Sequence, residues 1–273
     1  MDIGSAKITT EEMEGVPHHL IDILEPWEEF NVVVFQRKCK EAIAGIYERG
    51  HIPILTGGTG FYIQAVLKDI DFTENEDNTE YREQMEALGE EKGAEHLHIM
   101  LREIDPESAE AIPVNNKKRV IRALEFYHFT GQKISEHNKQ ESEKEPAYNF
   151  CYFVLNDDRD KLYERIEQRV DIMLKNGLED EVYHLLEKGC ARDMVSMQGL
   201  GYKEMIDYLE GKITLEEAIY IIKRDTRHFA KRQITWFKRE KEVIWVNKPD
   251  FAYDDDKILK FMEDCLRKQG IYG

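Results

Sequence analysis

Hydrophobic residues along this chain follow two spacings, and each spacing predicts a different kind of element. Over most of the sequence they recur every three or four positions, as on one face of an α-helix. In four short segments they form continuous runs rich in β-branched or aromatic residues, at 20–24, 52–56, 150–155 and 242–247. Such runs predict buried strands of a parallel sheet. Because predicted strands and helices alternate, the predicted fold class is α/β.

One of these runs leads into a glycine-rich turn. A helix over 30–49 precedes strand 52–56, and Gly57-Gly58-Thr59-Gly60 then leads into another helix, an order typical of a parallel sheet with right-handed crossovers. Such a turn lies at the carboxyl edge of the sheet, where ligands bind and a helix N-terminus offers N–H groups to an anion. Thr59 would point its hydroxyl into that crevice. The glycines could also merely turn the chain and Thr59 merely cap the helix, and the motif alone does not decide.

The middle of the chain has a different composition, with short and strongly charged helical segments. We therefore predict an all-helical insertion domain at 74–145 and an α/β core domain formed by 1–73 and 146–273. Residues 139–145 are charged and poor in hydrophobic residues, so they are predicted to be a loop.

Composition narrows the class of protein. The 273 residues are 41% hydrophobic, and no apolar run approaches the roughly 18 residues that span a bilayer. With no apolar leader, we expect no membrane association. The four cysteines are far apart, which argues against a disulfide framework or a zinc site and favours a reducing cytoplasm. The adjacent His18 and His19 would point in opposite directions on a strand, so no metal ligand is predicted there.

Charge is unevenly distributed. The net charge of −17 argues against nonspecific binding of nucleic acid, yet cations cluster at 115–122 and 223–239. The second cluster has seven Lys or Arg against a single acid, Asp225. A solvated helix face would mix both signs, so this segment is predicted to face phosphate. Arg165 and Arg169, four apart on a helix, could form ion pairs or clamp a phosphate, and spacing alone favours ion pairs.

Seven short motifs follow one another along the chain: Met1-Asp2-Ile3-Gly4-Ser5-Ala6-Lys7, Gly15-Val16-Pro17-His18-His19-Leu20, Gly57-Gly58-Thr59-Gly60-Phe61-Tyr62, Arg119-Val120-Ile121-Arg122-Ala123-Leu124-Glu125, Arg165-Ile166-Glu167-Gln168-Arg169, Gly201-Tyr202 and Lys231-Arg232-Gln233-Ile234-Thr235-Trp236. Each is weak alone. Together, in this order and over nearly the whole chain, they resemble the tRNA dimethylallyltransferases, also called tRNA isopentenyltransferases.

The resemblance implies a P-loop fold, as in ATP-binding and other nucleotide-binding proteins, with helices on both faces of a parallel sheet. This sequence contains no G-x-x-x-x-G-K-[ST] motif and no Asp-Ser pair ahead of Met1-Asp2-Ile3-Gly4. We therefore expect the first strand, the P-loop, the general-base aspartate and the ligands of Mg²⁺ to lie in an N-terminal segment outside this sequence. The family's activity is implied, but not the activity of this segment alone.

The implied reaction transfers a dimethylallyl group from dimethylallyl diphosphate to N6 of the adenosine beside the anticodon, position 37, in tRNAs that read codons beginning with U. By the same resemblance, Arg169 would contact the leaving diphosphate, and Thr59 would hold the flipped adenosine or its flanking phosphate. The residues carried over as tRNA contacts are Thr59, Arg82, Lys118, Arg119, Arg122, Gln198, Gly199, Gly201, Tyr202, Lys203, Lys231, Arg232, Gln233, Thr235, Trp236 and Lys238.

Two other functions stay open at this point. A small-molecule P-loop-type kinase would share the sheet but would have no use for the basic helix at 223–239. A noncatalytic tRNA-binding protein would use that helix without the chemistry. The predicted partners are the tRNA anticodon stem-loop and dimethylallyl diphosphate, and the predicted protein is a cytoplasmic monomer.

Overall fold

The structure, a computed structural model, describes residues 1–72 and 79–271. Its contacts divide the chain into two compact units, Met1–Ile63 with Asn149–Gly273, and Gln64–Tyr148. The predicted insertion at 74–145 falls within the second unit, although its predicted start lies outside the described residues.

The described residues form these elements in chain order: α1 (Val32–Glu48), α2 (Gly60–Leu67), α3 (Thr79–Glu91), α4 (Ala94–Ile104), α5 (Pro106–Ala111), α6 (Lys117–Thr130), α7 (Ile134–Glu143), β1 (Tyr152–Asn156), α8 (Arg159–Lys175), α9 (Leu178–Glu187), a 3₁₀ turn (Val195–Gln198), α10 (Tyr202–Leu209), α11 (Leu215–Phe237), β2 (Val243–Asn247), a second 3₁₀ turn (Lys248–Phe251) and α12 (Asp255–Lys268).

The sheet is small and parallel. Strand β1 pairs with β2 in a register that places Tyr152 opposite Val243 and Asn156 opposite Asn247. These are two of the four predicted strands, and the α/β class with parallel pairing is confirmed. The parallel direction brings the carboxyl ends of both strands, at Asn156 and Asn247, to the same edge.

The strands predicted at 20–24 and 52–56 are wrong, because neither segment is a strand in the structure. Leu20 and Asp22 have φ angles of 64° and 52°, which break an extended run, and Ile54 is 87% exposed. A strand needs a neighbour to accept and donate its backbone hydrogen bonds. Within the described ranges, the only such ladder joins β1 and β2.

The first unit has a helical core beside the sheet. Side chains of α9, α10 and the first 3₁₀ turn are fully enclosed there, namely Leu178, Met197, Met205 and Ile206. Each such side chain contributes about 1.5–3 kcal/mol through burial of apolar surface. Helix α11 packs on both α8 and α10, so this core fixes the position of the predicted basic helix.

The second unit has its own core, formed where α4 and α6 pack together. Its largest buried side chains are Leu97, Leu101, Val120 and Leu124. The loop predicted at 139–145 is wrong, because α7 continues to Glu143. The side chain of Glu141 is buried there, where it accepts a hydrogen bond from the N–H of Asp71 at 2.9 Å and pairs with Lys144 at 2.7 Å.

Thr214 caps the N-terminus of α11. The hydroxyl of Thr214 accepts a hydrogen bond from the N–H of Glu217 at 3.2 Å, and the Glu217 carboxylate accepts one from the N–H of Thr214 at 2.8 Å. This reciprocal pair satisfies two N–H groups that an uncapped helix would leave open. None of the described helices combines the length and the apolar composition needed to cross a membrane.

Candidate active site and RNA-binding surface

The glycine turn, Gly57 to Gly60, packs directly on α11. A Cβ atom added at Gly58 would lie 2.8 Å from Cδ of Gln233 and closer still to its amide nitrogen. One added at Gly60 would lie 2.9 Å from Cε2 of Trp236 and closer still to Nε1 and Cδ1. Real Cβ atoms do not come so close to other atoms, so only glycine fits at these two positions without a shift of α11 side chains.

Thr59 lies between these two contacts and is exposed. Its carbonyl oxygen accepts hydrogen bonds from the N–H groups of Tyr62 and Ile63, at 2.9 and 3.2 Å, and so begins α2. The side chain is free to project while the backbone on either side is held. The turn therefore presents a hydroxyl at the start of a helix, as predicted, although without the strand expected before it.

The cations of α11 divide into two groups along the helix. Toward its N-terminus, Lys223 pairs with Asp171 at 2.6 Å and Arg224 with Asp225 at 2.8 Å, while Arg227 pairs with Glu167. These three charges are compensated within the protein. The segment 223–239 was predicted to face phosphate as a whole, but these three cations pair within the protein.

At the C-terminal end of α11 and in the two residues that follow it, the cations are exposed, and none forms an ion pair with another described residue. This unpaired group consists of Lys231, Arg232, Lys238 and Arg239. The guanidinium of Arg232 lies 5.7 Å from the centre of the Phe229 ring, and the Thr235 hydroxyl donates to the carbonyl of Lys231 at 2.9 Å. Exposed and uncompensated cations beside aromatic rings are typical of nucleic-acid surfaces. We refer to these four residues as the cationic end of α11.

Arg169 is exposed on α8, on the side away from α11. Glu167 and Asp171 both pair with α11, and Arg169, two residues from each, lies about 200° around the helix from Glu167. Its charge lies near Glu12: hydrogen bonds from Thr9 first, and the Arg169 charge after them, lower the pKa of that carboxyl. Among the described residues, no contact joins Arg169 to Thr59, so the crevice that they were predicted to share stays a prediction.

A cavity of about 330 Å³ opens at the shared carboxyl edge of β1 and β2. Arg165 lines it and pairs with Asp157 at 3.1 Å, which agrees with the ion pair that spacing favoured. The Tyr253 hydroxyl donates to Asp157 at 3.0 Å, and the Lys161 ammonium lies 3.7 Å from the centre of the Tyr253 ring. The charged groups at this edge are thus largely compensated by one another.

The second glycine-rich segment was predicted to contact tRNA, and two of its polar side chains bond within the protein. The amide of Gln198 donates to the carbonyl of Arg192, and Lys203 pairs with Glu204 at 3.5 Å. Gly199 lies against Tyr202, whose ring a Cβ at Gly199 would approach to 3.4 Å.

Gly201 and Tyr202 close this segment. Gly201 has a φ of 93°, a conformation that L side chains rarely adopt, and its N–H donates to Glu204 at 2.9 Å. Tyr202 is 3% exposed and belongs to the helical core. The Tyr202 side chain therefore has almost no surface to offer, and the tRNA contact at Gly201 and Tyr202 stays a prediction.

The carboxylate of Glu181 holds the backbone at the start of the chain. No sequence motif pointed to this residue. Glu181 accepts hydrogen bonds from the N–H groups of Asp2, Ile3 and Gly4 and from the Tyr202 hydroxyl, the last at 3.0 Å. Burial alone would raise the pKa of Glu181, but these four donors outweigh it and the pKa is lowered. A Cβ at Gly4 would lie 2.6 Å from the Tyr202 ring, so the first motif of the chain fits only as glycine there.

Predicted tRNA contacts in the second unit differ in how they are held. Arg82 and Arg122 both pair with Glu125, at 2.9 and 3.0 Å, and Glu125 is 1% exposed. The two guanidinium groups nevertheless remain 46% and 44% exposed. Lys118 and Arg119 lie at the start of α6, exposed and without an ion pair to any described residue.

The described residues do not offer a metal site. They contain no group of three or more His, Cys, Asp or Glu side chains arranged around one position. Nδ1 of His18 instead lies 2.8 Å from the carbonyl of Val16. Mg²⁺ needs several oxygen ligands around one position. The described residues offer no such group, so we assign no Mg²⁺ ligand among them.

Comparisons with known proteins agree with one another. The family model described as IPP transferase matches residues 1–240. A tRNA dimethylallyltransferase from Lachnoclostridium phytofermentans is 56% identical over 269 residues, covering 98% of this chain and 86% of that protein. A crystal structure of the full-length tRNA isopentenylpyrophosphate transferase from Bacillus halodurans is 44% identical with a TM-score of 0.70, covering 99% of this chain and 85% of that chain. A eukaryotic dimethylallyltransferase acting on tRNA is 27% identical with a TM-score of 0.81, covering 97% and 69%. The chain belongs to the IPP transferase family.

Proposed function

We propose that this protein transfers the dimethylallyl group of dimethylallyl diphosphate to N6 of the adenosine at position 37 in tRNAs that read codons beginning with U. The relatives are named for this transfer to tRNA. The observation in the structure that best supports it is the cationic end of α11, which lies on the same helix that seats the glycine turn with Thr59. A polyanion bound at the cationic end would lie close to a hydroxyl at a helix start.

The chemistry is one alkyl substitution. The N6 amine attacks C1 of the allylic group, the new C–N bond forms, the C1–O bond breaks, and diphosphate leaves while N6 loses a proton to a base. The protein must align the amine with C1 and stabilise charge on the leaving oxygens. In this proposal Thr59 orients the adenosine or its flanking phosphate, and Arg169 pairs with the diphosphate through its guanidinium.

The remaining contacts hold the RNA. Lys231, Arg232 and Lys238 would pair with phosphates of the anticodon stem-loop, and Lys118 and Arg119 would do so from the other unit. A base in a loop leaves its stack at a cost of a few kcal/mol, which is lower than in a duplex. Binding of Mg²⁺, a monomeric state and a cytoplasmic location stay predictions.

The test uses the natural full-length protein with dimethylallyl diphosphate and an anticodon stem-loop that carries adenosine at position 37. Nucleoside mass spectrometry should detect N6-dimethylallyladenosine, and a stem-loop with guanosine at that position should yield none. Tight binding without product would instead support a noncatalytic RNA-binding protein, and ATP-dependent phosphorylation of a small acceptor would support a kinase.

A further inference from the structure

The residues directly before and after Thr59 both rest on α11. Gly58 lies against the amide of Gln233 and Gly60 lies against the indole of Trp236. Because both neighbours are held, the backbone of Thr59 can move only if these two side chains or the helix itself move. The predicted role of Gln233 and Trp236 as RNA contacts takes no account of this packing.

The same helix carries two of its unpaired cations, Lys231 and Lys238, on another face, while Arg232, four residues before Trp236, lies on the Trp236 side. Lys231 and Lys238 are seven residues apart and therefore share a face, whereas Gln233 and Trp236 lie roughly 140–200° around the helix from Lys231. Both lysines are exposed, while Gln233 and Trp236 are partly buried against the turn. One rigid helix thus joins the unpaired cations to the seat of the turn.

The contact at Trp236 depends on shape. Its Nε1 is buried and has no hydrogen-bond acceptor among the described residues. A buried N–H without an acceptor is unfavourable by about 1–3 kcal/mol, so the N–H is not the reason for an indole at this place. The flat ring edge fits the space that the missing side chain of Gly60 leaves open.

We propose that Gln233 and Trp236 are positioning residues, which fix Thr59 relative to tRNA bound at the cationic end of α11. This inference rests on the proposed function and assigns two different roles to two sets of residues on α11. Its cationic end sets tRNA affinity, and its turn-facing side chains set the geometry of the transfer step. Disturbing the seat should therefore lower kcat without weakening tRNA binding.

The test compares three glycine variants in the natural full-length protein. Gly60→Ala forces a Cβ onto the indole, so kcat should fall more than tenfold while the Kd for the stem-loop stays within twofold. Gly58→Ala should lower kcat less, because the amide end of Gln233 is flexible and can move away. Gly57→Ala is the matched control, since a Cβ there meets no atom within 4 Å, and it should lower kcat by threefold at most.

A second-site variant separates positioning from general damage. Trp236→Leu removes the ring that the new methyl group meets, so Gly60→Ala with Trp236→Leu should recover at least fivefold in kcat over Gly60→Ala alone. Unaltered stem-loop binding shows that each variant is folded. Equal kcat for Gly60→Ala and Gly57→Ala, or a parallel loss of binding and kcat without recovery, would overturn the inference alone. A wild-type protein that forms no product would overturn the proposed function together with this inference.

Discussion

Two groups of cations lie along α11 and the two residues after it, and they differ in how their charges are compensated. In the first group, Lys223, Arg224 and Arg227 each meet a carboxylate of this chain, whereas the four cations of the cationic end meet none among the described residues. A charge that is already paired gains little from a phosphate, because the existing pair must first be broken. This argument favours the unpaired cations, rather than the number of basic residues, as the guide to an RNA-binding surface.

The largest effect should come from removing charge at the cationic end. If Lys231 and Arg232 each contact a phosphate, replacing both with alanine removes about two ions from the salt dependence of binding. At moderate salt each contact is worth roughly tenfold in affinity, so the double variant should bind the stem-loop about 100-fold more weakly. Filter binding or fluorescence anisotropy across a salt series measures both the Kd and the slope.

The matched control for that experiment uses the first group of cations on the same helix. Lys223→Ala with Arg227→Ala also removes two positive charges, but these charges are paired with Asp171 and Glu167. The Kd should change by less than threefold, and the salt slope should stay that of the wild type. An equal loss of affinity in both double variants would show that paired and unpaired cations contribute alike to RNA binding.

A charged group whose hydrogen-bond partners all lie within the protein should contribute to the stability of the fold and not to RNA binding. Glu181 is such a group. Since its pKa is lowered in the folded state, its contribution is present above the unfolded value of about 4.3 and is lost as pH falls through the folded pKa. Glu181→Gln should lower the free energy of unfolding at neutral pH by about 2 kcal/mol. It should also flatten the acid limb of stability in urea titrations.

The same variant sharpens the comparison through what it should leave alone. Glu181 lies at the amide groups of Asp2, Ile3 and Gly4, not on α11. The salt slope of stem-loop binding should therefore equal that of the wild type at a temperature where the variant is folded. A reduced slope would mean that the N-terminal motif itself contacts phosphate.

The smallest expected effect is a gain. Glu167→Gln removes the acid that compensates Arg227, so that guanidinium becomes available to a phosphate. Stem-loop affinity should rise by roughly twofold to threefold, a typical value for one exposed pair. Gln168→Glu, one position along α8 and off the α11-facing side, should lower affinity or leave it unchanged. A fall in affinity for Glu167→Gln would mean that Arg227 needs its acid to be placed correctly.

Local signals predicted the helices well. The Thr214-to-Glu217 cap, the strands at 150–155 and 242–247, and the separate helical unit follow from periodicity, capping and composition. Strands 20–24 and 52–56 could not be judged this way, because a strand exists only if a neighbour pairs with it. The apolar run around Ile54 looks buried in sequence, but the Ile54 side chain is 87% exposed in the structure.

The site was predicted unevenly for a similar reason. Unpaired cations at the end of α11 follow from the scarcity of acids in the segment itself. The compensation of Arg227 by Glu167, sixty residues away, has no local signal. Nor does the role of Glu181, or the seating of Gly60 on Trp236, since each joins segments that are far apart in sequence.

The uneven charge of the molecule has a kinetic consequence. A body with a net charge of −17 repels a tRNA from most directions, and the cationic end of α11 is a small region of the opposite sign. Such a field exerts a torque on an approaching polyanion and rejects most wrong orientations before contact. A tRNA that still reaches the protein would approach with its phosphates toward the cationic end of α11. The acidic surface would then orient the tRNA as well as repel it.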